Sequence, residues 1–169
     1  MFKLGIIGTG SISHEFIKAA HSTGDYQLAA VYSRTLASAE RFVQNYENTA
    51  VYIEMLDFLS SDIDIVYIAS PNSLHFKHAK VAILARKHVI VENPAVSRPK
   101  EWRELVKLAD EHQVYLFEAA RNYHEQAFDT ISDFLKDKTV LGASFTYAKY
   151  SSKMQALLAG EQPNVFSAK

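Results

Sequence analysis

A short apolar run, Phe2-Lys3-Leu4-Gly5-Ile6-Ile7, ends directly in Gly8-Thr9-Gly10, and Ile12, Phe16, Ala19 and Ala20 then follow at helical spacing. A strand that turns into a helix through two glycines has few uses. Gly8 permits a tight turn, Gly10 lets another group approach the backbone closely, and the helix N-terminus at Ser11 and Ile12 favours negative charge there. Thr9 completes the turn. Ser13 stands where a third glycine would allow closer packing of helix on strand, and a small hydroxyl residue is compatible with that contact.

The same alternation continues downstream. Residues 27–33 read as a second strand after the Thr23-Gly24-Asp25 turn, and Ala37, Phe42, Val43 and Tyr46 mark a second helix. A short strand at 50–53 and a short helix at 55–60 precede residues 63–69, Ile-Asp-Ile-Val-Tyr-Ile-Ala, which lack strict polar alternation as a strand covered on both faces does. Helices with Ala79, Ala82, Ile83 and Leu84 and with Trp102, Leu105, Val106, Leu108 and Ala109 inward flank a strand at 89–91, and a sixth strand falls at 114–117. Six strands alternating with helices predict an α/β fold, a doubly wound parallel sheet. Beyond Glu118 the rhythm changes to a helix with Ala127, Phe128, Ile131, Phe134 and Leu135, then a long strand at 140–150, then a stretch of weak periodicity.

Composition excludes several classes. Eighteen Lys+Arg against 19 Asp+Glu leave a formal net charge of -1 with no basic stripe, so a nucleic-acid partner is not expected. The absence of cysteine removes disulfides, thiol catalysis and cysteine metal sites, and fits a cytoplasmic location. The N-terminal apolar run is too short to span a membrane.

A glycine turn of this kind serves dinucleotides, and it also serves S-adenosylmethionine in methyltransferases, which favour an acidic residue at the end of the second strand. Here that strand ends Tyr32-Ser33-Arg34-Thr35. A carboxylate would bind the ribose 2'-hydroxyl, whereas hydroxyls and a guanidinium suit a 2'-phosphate. The expected ligand is therefore NADP, with NAD as second choice.

Further motifs fall in order along the chain: Ala69-Ser70-Pro71-Asn72 with His75, Lys87-His88-Val89, Glu92-Asn93-Pro94, and Glu118-Ala119. Together with Gly8-Thr9-Gly10 and Ala30-Val31-Tyr32-Ser33-Arg34, these resemble the Gfo/Idh/MocA oxidoreductases over roughly residues 1–125. The resemblance implies a Rossmann domain at residues 1–120 and, from 121 to 169, the beginning of an incomplete α+β substrate domain that also mediates oligomerisation. It implies hydride transfer between a nicotinamide and a sugar, polyol or related hydroxyl or carbonyl compound, by an enzyme that forms homo-oligomers. Ser70, Pro71 and Asn72 would line the cofactor, His75 would start the following helix, Glu92 would sit beside the nicotinamide ribose, and Arg121 would reach the cofactor.

Departures from the family pattern shape the expectations as much as the matches do. Asn93 occupies the position of the family's catalytic lysine, and an amide neither carries charge nor titrates near neutrality. Arg86 stands where a helix-ending glycine is usual, at a cost in stability if the backbone there is left-handed. Tyr123 and Gln126 replace an arginine and a proline. The segment that supplies the family's proton donor or acceptor has no match after Asn122, so this chain is expected to lack the full active site. The alternative is a noncatalytic NADP-binding or sensor module.

The histidines are weighed separately. His75 and His78 lie three apart on a helix, but no third ligand is in view and no metal is expected. His14, His21 and His112 read as surface helix positions, His88 as a strand residue, and His124 as a helix-start residue close to the Glu118-Ala119 motif.

Overall fold

Strand-forming runs rich in Ile, Val and Tyr bury both faces when helices cover a parallel sheet, and that arrangement organises the first 119 residues. The computed structural model describes residues 1–146 and 152–160. Met1–Ala119 forms one compact unit, and the described residues from Ala120 onward belong to a second.

The first unit runs β1 (Phe2–Ile7), α1 (Ser11–Ser22), β2 (Tyr26–Tyr32), α2 (Leu36–Val43), β3 (Ala50–Tyr52), α3 (Met55–Ser60), β4 (Ile65–Ile68), α4 (Asn72–Leu84), β5 (His88–Glu92), α5 (Pro99–His112) and β6 (Leu116–Ala119). Every strand pairs in parallel with its neighbours in the order β3-β2-β1-β4-β5-β6. This is the doubly wound Rossmann order, and its direction reverses between β1 and β4. Two cores lie on the two sides of the sheet. Phe58, Val66, Ile83 and Leu105 belong to the side of α3, α4 and α5, and Leu4, Ile17, Phe42 and Tyr67 to the side of α1 and α2.

Helix α1 turns a different face inward from the one its large apolar residues suggest. Ser13, Ile17 and Ala20 are buried, while Ile12 is 44% exposed and Ala19 is exposed. The rotation follows from Ser13, whose hydroxyl is tied to the turn below it and so sets which i, i+4, i+7 face meets the sheet. Helix α4 likewise leaves Leu84 47% exposed and buries His75 and His78 instead. Two residues past its end, Arg86 takes φ +58. The Arg86 and Lys87 amides donate to the carbonyls of Ile83 and Ala82, a closing turn that glycine usually supplies.

The second unit contains a 3-10 turn at Arg121–His124, α6 (Gln126–Leu135) and α7 (Ser152–Leu158). Helix α6 buries none of its residues. The strand expected at 140–150 is absent from residues 140–146, and 147–150 lie outside the described residues. A strand needs a lateral partner for its amides and carbonyls, and no strand pairs with this segment among the described residues. Helix α7 falls where the sequence shows weak periodicity, in a stretch of good helix formers, Met154-Gln155-Ala156-Leu157-Leu158.

Candidate functional site

The strand ends that face the reversal of strand order form a cleft of about 440 Å3. Its floor is the β1–α1 turn. Gly8 has φ +109, and a Cβ there would lie 2.4 Å from the Ala69 carbonyl oxygen and 2.7 Å from its carbon, so only glycine lets β1 and the end of β4 approach this closely. At Gly10 a Cβ would meet nothing within 4 Å, because the position opens on the cleft. Ser13 is fully buried and its Oγ donates to the Gly8 carbonyl at 2.8 Å. The hydroxyl thus fastens the turn where a third glycine would only have let it pack. The amides of Ser11 and Ile12 belong to the first turn of α1, which has no internal acceptors for them.

One wall of the cleft comes from the end of β2, with Tyr32, Ser33, Arg34, Thr35 and, one turn into α2, Ser38. Thr35 Oγ1 donates to Ser38 Oγ at 2.8 Å. The exposed Arg34 has no ion-pair partner among the described residues. The other wall follows β4, with Ser70, Pro71, Leu74 and His78. His78 is 9% exposed. Burial pushes its ring down to about 4, with help from the charge of Lys77 and from His75.

A second group of side chains gathers at the ends of β5 and β6. Tyr67 is fully buried in β4 with its ring stacked on Phe16 at 3.7 Å and 5°. Its hydroxyl donates to Glu92 Oε1. Burial, reinforced by that carboxylate, holds the phenol well above its ordinary range. Asn93 Nδ2 donates to Glu118 Oε1 at 2.9 Å, and the Ala95 amide donates to the same oxygen at 2.9 Å. His75 lies beneath, 1% exposed. Its Nε2 is 2.7 Å from the Ser70 carbonyl oxygen and its Nδ1 2.9 Å from that of Pro94, so the ring spans the loops after β4 and β5.

Gly8, Thr9, Gly10, Ser33, Arg34, Ser70 and Pro71 thus surround one cleft. Ser11 and Ile12 are exposed on the adjoining turn of α1, and Asn72 begins α4. His75 supports the cleft from below without lining it, and Glu92 and Asn93 stand in the neighbouring group. Arg121 belongs to the second unit, where its Nε pairs with Glu125, four residues on, at 3.3 Å. Sequence reasoning passed over Ser38, Leu74 and Tyr67, and it weighed His78 only as a metal ligand. The available signal was spacing. Leu74 and His78 are four apart on the helix that starts at the strand ends and so share a face. Among the described residues, no three His, Asp or Glu side chains converge as a metal site would require.

Comparison with known proteins agrees with this geometry. A sequence profile of the oxidoreductase family with an NAD-binding Rossmann fold, Gfo/Idh/MocA, matches residues 2–120. The uncharacterised oxidoreductase YgjR of Escherichia coli K12 is 38% identical over 99% of this chain and 52% of its own length. The scyllo-inositol 2-dehydrogenase (NADP+) IolU of Bacillus subtilis 168 is 34% identical over 98% of this chain and 51% of its own length. Among solved structures, the 3-ketoreductase KijD10 of Actinomadura kijaniata, in complex with NADP and TDP-benzene, superposes with a TM-score of 0.75. It is 25% identical over 80% of this chain and 42% of that one. The chain spans about half the length of the curated relatives it matches. On the profile match, the relatives and the sheet order together, the chain belongs to the Gfo/Idh/MocA oxidoreductase family.

Proposed function

We propose that this chain binds NADP(H), with NAD(H) as the weaker ligand, and forms the nucleotide half of an oxidoreductase acting on a sugar, polyol or related compound. One observation carries the cofactor choice. The cleft that begins at Gly8 and Gly10 ends at Ser33 and Arg34, and no Asp or Glu is among its lining residues. A ribose 2'-hydroxyl would gain from a carboxylate there, whereas a 2'-phosphate gains from a guanidinium and hydroxyls. The residues fit such a ligand. Gly10 leaves open space for a pyrophosphate beside the start of α1, and Arg34 has no competing carboxylate among the described residues.

When bound, the nicotinamide supplies hydride exchange at its C4 with a carbon bearing a hydroxyl or carbonyl group. The chain's own part is to hold and orient. The Gly8–Gly10 turn and the Ser11 and Ile12 amides would hold the pyrophosphate, and Ser33 and Arg34 the 2'-phosphate. Ser70 and Pro71 would flank the dinucleotide, with Asn72 at the head of the same helix. Glu92, fixed by Tyr67, would orient the nicotinamide ribose. NADP dependence in the inositol dehydrogenase relative and bound NADP in the 3-ketoreductase support the reading. The test is a titration with NADPH and NADH followed by hydride-transfer assays across sugars and polyols. Tighter binding of NADPH is expected, and Arg34→Ala should weaken NADPH about tenfold while leaving NADH nearly unchanged. Absence of binding by either nucleotide refutes the proposal.

A noncatalytic NADP-binding or sensor role is favoured by one feature. Asn93 has its amide engaged by Glu118 and offers no titrating group at that position. Nucleotide binding without turnover by the protein, together with turnover in its Asn93→Lys variant, would establish that role. Turnover by the unaltered protein would exclude it.

A further inference from the structure

Helix α4 presents Leu74 and His78, one turn apart, to the same cleft wall. His78 is the one ring on that wall with an uncommitted polar atom. Its Nδ1 shares a hydrogen bond of 2.9 Å with Ser70 Oγ, and the Tyr32 ring meets it edge-on at 6.4 Å and 77°. These two contacts fix the plane of the imidazole. Its Nε2 has no partner among the described residues, yet no buried side-chain nitrogen there lacks a partner. Nε2 is therefore open to solvent, on a residue that is nearly buried and lines the cleft.

Placed this way, a ring nitrogen offers a directional hydrogen bond beside an apolar surface. That combination suits a flat heteroaromatic base better than a phosphate. A phosphate is recognised by cations, and desolvation keeps this imidazole uncharged at neutral pH. Arg34 and the hydroxyls of Ser33, Thr35 and Ser38 supply the phosphate chemistry on the opposite wall.

Resting on the nucleotide reading above, we infer that His78 is a specificity residue for the purine base, hydrogen-bonded to the base edge through Nε2 while Leu74 packs on the base face. Ser70 then has two tasks. Its carbonyl faces His75 and its hydroxyl holds His78.

The probe is adenosine 2',5'-bisphosphate, with inorganic pyrophosphate as a ligand that lacks the base. On saturation with the bisphosphate, the His78 Nε2 resonance of the 15N-histidine-labelled chain is expected to move, and pyrophosphate should leave it in place. His78→Asn keeps a group able to bond Ser70 but removes Nε2, and His78→Phe keeps the ring volume. Both should weaken the bisphosphate about fivefold to tenfold with unchanged pyrophosphate affinity. Bisphosphate binding that leaves the Nε2 resonance unmoved overturns the assignment of His78 and leaves the nucleotide reading standing. Failure of the wild-type chain to bind the bisphosphate, NADPH or NADH overturns both. The wild-type spectrum decides the matter even if a variant does not fold.

Discussion

The two glycines of the β1–α1 turn look equivalent in sequence, and replacing each by alanine should separate them. At Gly8 a methyl group would sit 2.4 Å from the Ala69 oxygen, whereas ordinary contact begins near 3.4 Å, so the ends of β1 and β4 must part by about 1 Å. That movement pulls on the 2.8 Å bond from the Ala69 amide to the Ile7 carbonyl, worth about 1 kcal/mol. The φ of +109 adds strain of about 1–3 kcal/mol for a residue with a side chain. Gly8→Ala should therefore cost about 3 kcal/mol, lowering the thermal midpoint followed by circular dichroism by roughly 10 °C. At Gly10, φ is -84 and no atom lies within 4 Å of the added carbon. Gly10→Ala should melt within about 2 °C of the parent while losing about tenfold or more in NADPH affinity, since the methyl occupies the space left for the ligand. If Gly8→Ala melts with the parent, the close approach of β1 and β4 is not what requires glycine there. If Gly10→Ala binds NADPH normally, the ligand does not approach that turn.

Ser13→Ala removes the only side-chain bond to the Gly8 carbonyl among the described residues and should cost about 1–2 kcal/mol in urea unfolding; an unchanged midpoint would mean that the hydroxyl does not hold the turn. Arg86→Gly relieves a left-handed residue at the end of α4 and should stabilise the chain by up to about 1 kcal/mol, and a loss of stability would refute that reading of the turn. His78, held neutral down to about pH 4 in the folded chain, takes up its proton near 6.5 once unfolded. The unfolded state thus binds more protons between those values, so stability should fall as pH is lowered from about 6.5 towards about 4. The dependence should be weaker in His78→Asn, and equal pH profiles would refute it. Helix α6 leaves Phe128, Ile131, Phe134 and Leu135 exposed, an apolar stripe that should make the chain associate at high concentration, and a monomer in sedimentation there would contradict this.

The sheet was legible because its signal is local: each strand is a short apolar run, each helix has its own period, and the order of a right-handed doubly wound sheet follows from that alternation. The Gly8–Gly10 turn and the Ser33-Arg34 pair were legible for the same reason, since strand ends place them without long-range information. What escaped depends on distant partners. Nothing near Tyr67 in sequence indicates that its hydroxyl meets Glu92, 25 residues on. Periodicity favoured the larger Ile12 over Ser13 as an inward residue, because the bond from Ser13 to Gly8 is invisible to hydrophobicity. His78 was weighed only as a metal ligand and set aside, because spacing along a helix shows which side chains share a face and not what that face meets. The strand expected at 140–150, absent from residues 140–146, rested on β propensity and on the family resemblance, and neither supplies the neighbouring strand that a ladder requires.

His75 has a consequence for affinity as well as for shape. By spanning the Ser70 and Pro94 carbonyls from a fully packed position, it immobilises the backbone on that side of the cleft through contacts made within the fold itself. The conformational freedom of those loops is therefore surrendered during folding, and a ligand arriving at Ser70 and Pro71 need not order them again. A His75→Ala chain that still folds should reveal this as a more unfavourable binding entropy in calorimetry, with the groups facing the ligand left chemically intact.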